Sequence, residues 1–518
     1  MHLAISAAVE DAPVTGKVYT CKCLAKTHAW AMTDRGTEAP GEQRRAYALD
    51  ALRGLAILGM ILSGQLPFGE NALPAWMYHA QVPPPEHKFV PTLAGITWVD
   101  LVFPFFLFAL GAAIPLALGR RLEQGVAKLK VGRFIVERGI LLGFFALYVE
   151  AIRPDVISDH PSVKTWLVAL LGFGLLFPVL MRLPEAWPAA WRWAIRAAGW
   201  AGSVALLALL HYPGGKGFSL ERSDIIIVVL ANMAVFGSLL WWLTRANLLL
   251  RLGVLGILIA IRLSNMPQPI EGWVNDIWRW SPLPWMYRLY YLEYLFIVVS
   301  GTIAGDLVRQ WMQREEADCA PVPGEPSAWS PLRFLAIGGL MLCLPVLLVV
   351  GLKARWLVAT TLTTFALCAV GWWLMSKPSN GTERLFHRLF NWAIYWLVLG
   401  LFFEPYEGGI KKDRATMSYY FVTAGCAICV LIGFTILIDV FRRKRWVQLL
   451  IENGQNPMIA YAGINNLVIP VLGLTTVNKF LSSLVSSPWL GFVHGAIITL
   501  LLALSVSFFT KQKIFWRT

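Results

Sequence analysis

The sequence predicts an all-α fold, a polytopic transmembrane helix bundle of about 12–14 spans with both termini cytoplasmic. Three observations predict it. Of 518 residues, 57% are hydrophobic and only 15% are charged, whereas a soluble domain carries about a quarter charged residues. Mostly apolar segments recur along the whole chain, and ~20 such residues cross a ~30 Å hydrocarbon core as helix. These segments are too long and too continuously apolar for the alternating strands of an outer-membrane barrel.

In chain order, residues 1–43 are polar, lack the apolar core of a signal peptide, and read as a disordered cytoplasmic tail. Residues 44–518 then form one transmembrane domain. Its candidate spans are 49–67, 97–118, 133–152, 164–181, 193–211, 223–243, 246–263, 288–305, 333–352, 356–375, 388–403, 418–440, 456–473 and 490–510. The segments 246–263, 356–375 and 388–403 give the weakest signals, so the count runs from twelve to fourteen. No fixed-period repeat is evident.

Charge supplies the orientation. The net charge is +14, but the cations sit in short loops between apolar runs, where topology rather than nucleic acid accounts for them. With the N-terminus inside, Arg120, Arg121, Lys128, Lys130 and Arg133 face the cytoplasm. So do the cluster Arg442, Arg443, Lys444 and Arg445 and the C-terminal "KQKIFWRT". The opposite face is poorer, though it holds Lys411, Lys412 and Arg414. The segment 68–96 then faces outward, which in a Gram-negative inner membrane is the periplasm. Of the seven cysteines, Cys426 and Cys429 form a C-x-x-C inside a span, where both read as small hydrophobes.

Polar groups within such a chain mark function or structural pairing. The outward stretch "WMYHAQVPPPEHK" carries His79 and His87 around three prolines, which stiffen its second half. Asp100 stands at the outer end of the second span, where it either caps the helix or orients and polarises a nearby imidazole; both roles can coexist. Pro104 should kink that span, and Gly111 allows close helix approach. At the head of the first span Asp50 and Arg53 share a helix face. They form an interfacial ion pair, or help hold a charged ligand at the cytoplasmic mouth. The loop at 264–287 holds Trp273, Trp278, Trp280 and Trp285 beside Glu271, Asn275 and Asp276. It reads as an aromatic belt, or as a platform on which sugar rings stack. Asn465 and Asn466 lie mid-span and either bond between helices or line a polar ligand path. Glu137, Arg138, Glu150, Arg262, Glu293, Asn391 and His494 are further polar groups within apolar surroundings. Signatures of a phosphate-binding loop, a serine hydrolase elbow and a zinc H-E-x-x-H are absent, and no metal is expected.

"LDALRGLAILGMIL" followed by "WVDLVFPFFLFALGAAI" resembles the core of the heparan-alpha-glucosaminide N-acetyltransferase family. The matching positions are Asp50, Arg53, Gly54, His79, Ala80 and Asp100 to Pro104. "NGQNPMIAYAG" and the basic-aromatic tail are similar to that family's last spans. The resemblance is strong over 47–118 and about 450–518 and weak through roughly 190–410. One departure is that Gly64 and Gln65 stand where the family places an asparagine.

The resemblance implies an acyltransferase-like domain over 44–518. It would carry acetyl from cytoplasmic acetyl-CoA, as co-substrate, to the amino group of an extracytoplasmic amino sugar. His79 would be the catalytic histidine, acting as base or as acetyl carrier, with Asp100 as its partner. His87, Trp273 and Asp276 are candidates for binding the acceptor. Asp50, Arg53, Asn465 and Asn466 are candidates for the donor path. The expected partners are the acceptor and the lipid bilayer of the plasma membrane, and a homodimer is left open. A small-solute transporter for amino sugars is the alternative from another class.

Overall fold

Each of the fourteen apolar segments is a helix in the structure, a computed structural model that describes residues 45–69, 72–184, 186–265, 271–317, 329–475, 477–483 and 485–517. The tail expected at 1–43 lies outside the described residues. The helices are α1 (Tyr47–Gly64), α2 (Trp98–Glu123), α3 (Lys128–Ala151), α4 (Val163–Leu180), α5 (Ala189–Leu209), α6 (Ile225–Thr244), α7 (Leu248–Leu263), α8 (Leu289–Gln313), α9 (Pro331–Lys353), α10 (Leu357–Leu374), α11 (Gly381–Phe403), α12 (Met417–Val440), α13 (Pro457–Leu474) and α14 (Pro488–Lys511). Among the described residues, eleven are long and apolar enough to cross a membrane. The other three are α3, α5 and α7. Charge dilutes α3 and α5, and α7 has only 16 residues. No β-strand occurs among the described residues, and the fold is an all-α polytopic bundle.

Contacts between helix ends fix the relative directions of several helices: α2 and α8 run parallel, and α7 runs against α8. At one end, Gln313 of α8 donates to Glu123 of α2 at 2.9 Å, and Arg251 of α7 pairs with Asp306 of α8 at 2.8 Å. At the other, Lys353 of α9 donates to the Ala80 carbonyl at 3.2 Å, and Arg262 of α7 pairs with Glu293 of α8 and with Glu407. The start of α1 and the segment just beyond α14 come together at one end. Arg53 near the start of α1 donates to Gly454 O at 3.0 Å, and Asn456 Nδ2 donates to Ile514 O at 2.7 Å. Lys444 of the basic cluster stands 3.4 Å from the Tyr47 ring at that same end, called inner below.

Small residues set the closest helix crossings, since lipid offers no hydrophobic drive for helices to associate. A Cβ on Gly111 of α2 would strike the Val298 carbonyl of α8, and one on Gly301 would strike the Phe108 carbonyl. Gly54 of α1 and Gly454 of the short helix Gln448–Gln455 interlock in the same way, each against backbone of the other element. The helix α2 runs on through Pro104 and Pro115 within Trp98–Glu123. Two helices contain π-turns, Ile436–Val440 in α12 and Ile464–Val468 in α13, a rare geometry that often accompanies functional sites.

The outer end carries the segment between α1 and α2. Leu66, Leu73, Met77 and Tyr78 make a small apolar cluster there. The Tyr78 hydroxyl donates to Pro67 O and accepts from Leu73 N at 3.0 Å. The α11–α12 loop folds against this segment, with Gly95 N donating to Ile410 O at 2.7 Å. These two loops, far apart in sequence, build the site.

Candidate functional site

The site begins with how α2 starts. Thr97 is its N-cap in a capping box: Thr97 N donates to Asp100 Oδ2 at 2.9 Å, and Ala80 N donates to the same oxygen at 3.1 Å. The Thr97 hydroxyl donates to Tyr78 O at 2.7 Å, so residues 78–80 are pinned to the helix start. Asp100 is fully buried, and its backbone carbonyl accepts from the Tyr419 hydroxyl of α12 at 2.8 Å. The cap and the imidazole partner are therefore one residue: Oδ2 serves the cap while Oδ1 lies 2.9 Å from His79 Nδ1.

The other ring nitrogen meets a residue not expected from the sequence. His79 Nε2 lies 2.8 Å from Asp413 Oδ2, on the α11–α12 loop. Gln81 locks the two loops together. Its Nε2 donates to the Asp413 carbonyl, and its Oε1 accepts from Asp413 N at 2.7 Å. Gln81 is fully buried, so these bonds are shielded from competing water. Lys412 Nζ stands 4.0 Å from Asp100 Oδ1. In the sequence, "KKDR" stands out as a dense charged run beside a span end, a signal that topology alone does not exhaust.

A carboxylate oxygen thus lies within 3 Å of each ring nitrogen, Asp413 in hydrogen-bond geometry and Asp100 at ion-pair distance. The Gln81 N–H, 3.3 Å from Nδ1, suits a ring nitrogen that accepts. Burial by itself disfavours the charged His79 ring. The hydrogen bonds to Asp100 and Asp413 and the Asp100 charge outweigh burial and the opposing Lys412, so the His79 pKa is raised. Burial disfavours the charged Asp413 as well, but its bond to His79 and the nearby Lys412 prevail, and its pKa is lowered. The two carboxylates differ in access: the Asp100 side chain is 0% exposed and that of Asp413 is 50%. Asp413 is the partner an incoming group can displace.

The other expected residues lie elsewhere. The His87 ring is wedged between Phe68 and Tyr78, each 4.7 Å away, with both nitrogens enclosed and without a hydrogen-bond partner. Trp273 and Asp276 are exposed on a short outer helix, Trp273–Arg279, where Asn275 is the buried member and donates to Ser264 O at 3.1 Å. Asp50 and Arg53 pair at 3.3 Å at the inner end, and Arg53 also reaches Gly454 O. The like charges of Arg53 and Arg121 act on Arg138, whose Nε is enclosed without a partner. Asn465 and Asn466 fall in the α13 π-turn. Asn466 is fully buried with both amide atoms unpartnered, and Asn465 is half-buried. The interhelical amide bond considered for this pair is made instead by Asn453, to Ala503 O at 3.1 Å, while Asn456 ties the turn before α13 to Ile514 O beyond α14.

A second polar cluster lies beside the site. Arg262 pairs with Glu293 and Glu407 and donates to Ala415 O at 2.8 Å, while the Tyr420 hydroxyl donates to Glu293 at 2.8 Å. The Met417 N–H donates to Glu407 at 2.8 Å, so this network fixes the loop that bears Asp413. Glu150, another polar group expected to matter, pairs with Arg153 at 3.0 Å.

No curated protein matches the chain. The family model for a domain of unknown function, DUF5009, matches residues 45–308, just over half of the 518. That stretch contains Asp50, Arg53, His79, Gln81, Asp100 and Arg262, whereas Asp413 lies beyond it. The chain therefore belongs to the family defined by the domain of unknown function DUF5009.

Proposed function

We propose that this protein is a membrane N-acetyltransferase that moves acetyl from cytoplasmic acetyl-CoA to the amino group of an amino sugar on the outer face of the plasma membrane. The observation that carries this reading is His79, held by buried Asp100 at Nδ1 and by the displaceable Asp413 at Nε2. Asp100 fixes the ring so that Nε2 faces the reacting groups. Asp413 attracts the acceptor as an ammonium and gives up its place to it. His79, once neutral, takes a proton from the amine nitrogen through Nε2. The amine lone pair then forms a bond to the thioester carbonyl carbon. The carbon–sulfur bond breaks, the nitrogen's surplus proton passes to the departing sulfur, and CoA leaves as the thiol beside a neutral amide. A carboxylate beside Nε2 favours the base role over an acetyl-histidine, because it draws an ammonium to that nitrogen.

On the donor side, Arg53, Arg121 and Arg138 gather cations at the inner end, suited to the phosphates of CoA. Eleven residues separate Arg53 from Gly64 on α1, about 17 Å along the axis, a span for the extended thioester arm. Asn466, buried and unpartnered, is the group proposed to meet an amide of that arm, with Asn465 beside it. The intervening apolar cavity, lined by Ile57, Met60, Phe103, Phe106 and Tyr461 among others, measures ≈20 Å³. It holds about one water, so helices must part to admit the donor. Trp273 and Asp276, exposed on the outer helix, remain the proposed acceptor contacts, whereas the enclosed nitrogens of His87 withdraw it from that role.

The test is transfer of labelled acetyl from acetyl-CoA to glucosamine by purified protein, with His79→Ala alongside. Transfer that His79→Ala abolishes supports the enzyme; transfer that survives it removes His79 from the chemistry. An amino-sugar transporter is the second reading, favoured by the buried Arg262–Glu293–Glu407 network and the π-turns inside α12 and α13. Uptake of glucosamine by proteoliposomes without acetylation would establish it instead.

A further inference from the structure

We propose that the inner end of the α4–α5 hairpin binds the phosphate of an anionic phospholipid headgroup. Arg182, Leu183, Ala189, Arg192, Trp193 and Arg196 line an open pocket of ≈340 Å³ there. Its depth in the bundle is fixed by other contacts. Arg517 N donates to Leu180 O at 2.9 Å and Trp516 bridges to Met181, which puts the α4–α5 turn at the inner end with the basic cluster 442–445. Trp187, Trp191 and Trp193 are 44%, 65% and 75% exposed. Such a tryptophan fringe sits at the level of lipid headgroups.

The pocket opens to the bilayer rather than to the interior. The only buried residues of α5 are Gly199, Ser203 and Leu207, and Val204 and Leu209 stand exposed further along the helix. Acyl chains can descend along that face while the phosphate stays at the arginines. Arg192 and Arg196, four residues apart on one face, repel each other until an anion arrives. Neither forms an ion pair among the described residues, and the Arg192 Nε is enclosed without a hydrogen-bond partner. Guanidinium groups present paired N–H donors that match phosphate oxygens and keep their charge when partly desolvated. The apolar Leu183, Ala189 and Trp193 in the same wall favour a lipid over free phosphate.

The inference does not depend on the acetyltransferase reading. It is tested on the full-length protein in detergent, incubated with equal amounts of phosphatidylglycerol and phosphatidylcholine, with retained lipids counted by native mass spectrometry. Wild-type protein should retain phosphatidylglycerol in preference, a comparison that needs no variant to fold. Arg192→Gln/Arg196→Gln should weaken that retention about tenfold or more. Arg442→Gln/Arg443→Gln, which removes equal charge from the same end, should leave it intact. Equal retention of the two lipids by wild-type protein overturns the proposal, as does equal loss in the Arg442/Arg443 control. Displacement of phosphatidylglycerol by the same concentration of inorganic phosphate also overturns it, by showing a free-anion site.

Discussion

His79 Nε2 and Asp413 Oδ2 stand 2.8 Å apart although 334 residues separate them in the chain. One histidine is thereby shared between a carboxylate of its own helix-cap region and a carboxylate from the far half of the bundle. The nearer one is sealed and orients; the farther one is half-exposed and can move.

On the proposed acetyltransferase reading, Asp413→Asn should shift the pH dependence of transfer. His79 must be neutral to accept a proton, so activity rises with pH through its raised pKa, above the ordinary value near 6.5. Removing the Asp413 charge lowers that pKa and moves the rise to lower pH. A profile of kcat/KM against pH is the measurement, and an unmoved or upward-shifted rise counts against the assignment.

Asp100→Asn should lower kcat by at least about 10²-fold, because the imidazole loses the charge that orients it and stabilises its protonated form. It should also reduce stability, since Asp100 Oδ2 caps α2 and holds Ala80 N. Steady-state kinetics with a thermal unfolding scan separates the two effects. A stable variant with full kcat would mean that Asp100 is only a cap.

The His79–Asp413 contact should stabilise the fold in a bounded pH window. The raised His79 pKa means that its contribution is full below the unfolded value and is lost as pH rises through the folded one. The lowered Asp413 pKa means that its contribution is full above the unfolded value and is lost as pH falls through the folded one. The gap in unfolding temperature between wild-type protein and Asp413→Asn should thus be widest at about pH 5–6 and narrow towards pH 9. A gap that widens with alkalinity contradicts the pairing.

Gly111→Val should destabilise the bundle by about 1–3 kcal/mol or more. The added atoms meet backbone at Val298 rather than a side chain that can swing aside. Unfolding by denaturant in micelles measures it, and a neutral result would show that α2 and α8 can separate freely.

Arg262→Met should cost about 3–5 kcal/mol, because Glu293 and Glu407 would be left facing each other without their shared cation. Arg262→Met combined with Glu293→Gln should recover part of the loss. If the single change leaves the unfolding transition in place, the network does not fix the α11–α12 loop.

Local pattern made much of this protein legible in its sequence. Apolar run length foretold every spanning helix, because in lipid the backbone must satisfy its own hydrogen bonds and helix is the form in which one segment does so. The Asp50–Arg53 pair and the cap at Asp100 were legible for a similar reason: both depend on residues three apart on one helix. Short-range geometry also placed His79 one loop from Asp100.

Tertiary structure alone decided the rest. Asp413, Gln81 and Lys412 joined His79 because the α11–α12 loop folds over the α1–α2 loop, a contact that no periodicity encodes. His87 was drawn into an aromatic wedge, Asn466 was left unpartnered in a π-turn, and Asn453 took up the interhelical bond. The physical reason is the same in each case. A side chain's rotation about its helix and its neighbours across the bundle depend on how helices cross, and glycines such as Gly54, Gly111 and Gly454 set those crossings through steric fit between elements remote in sequence.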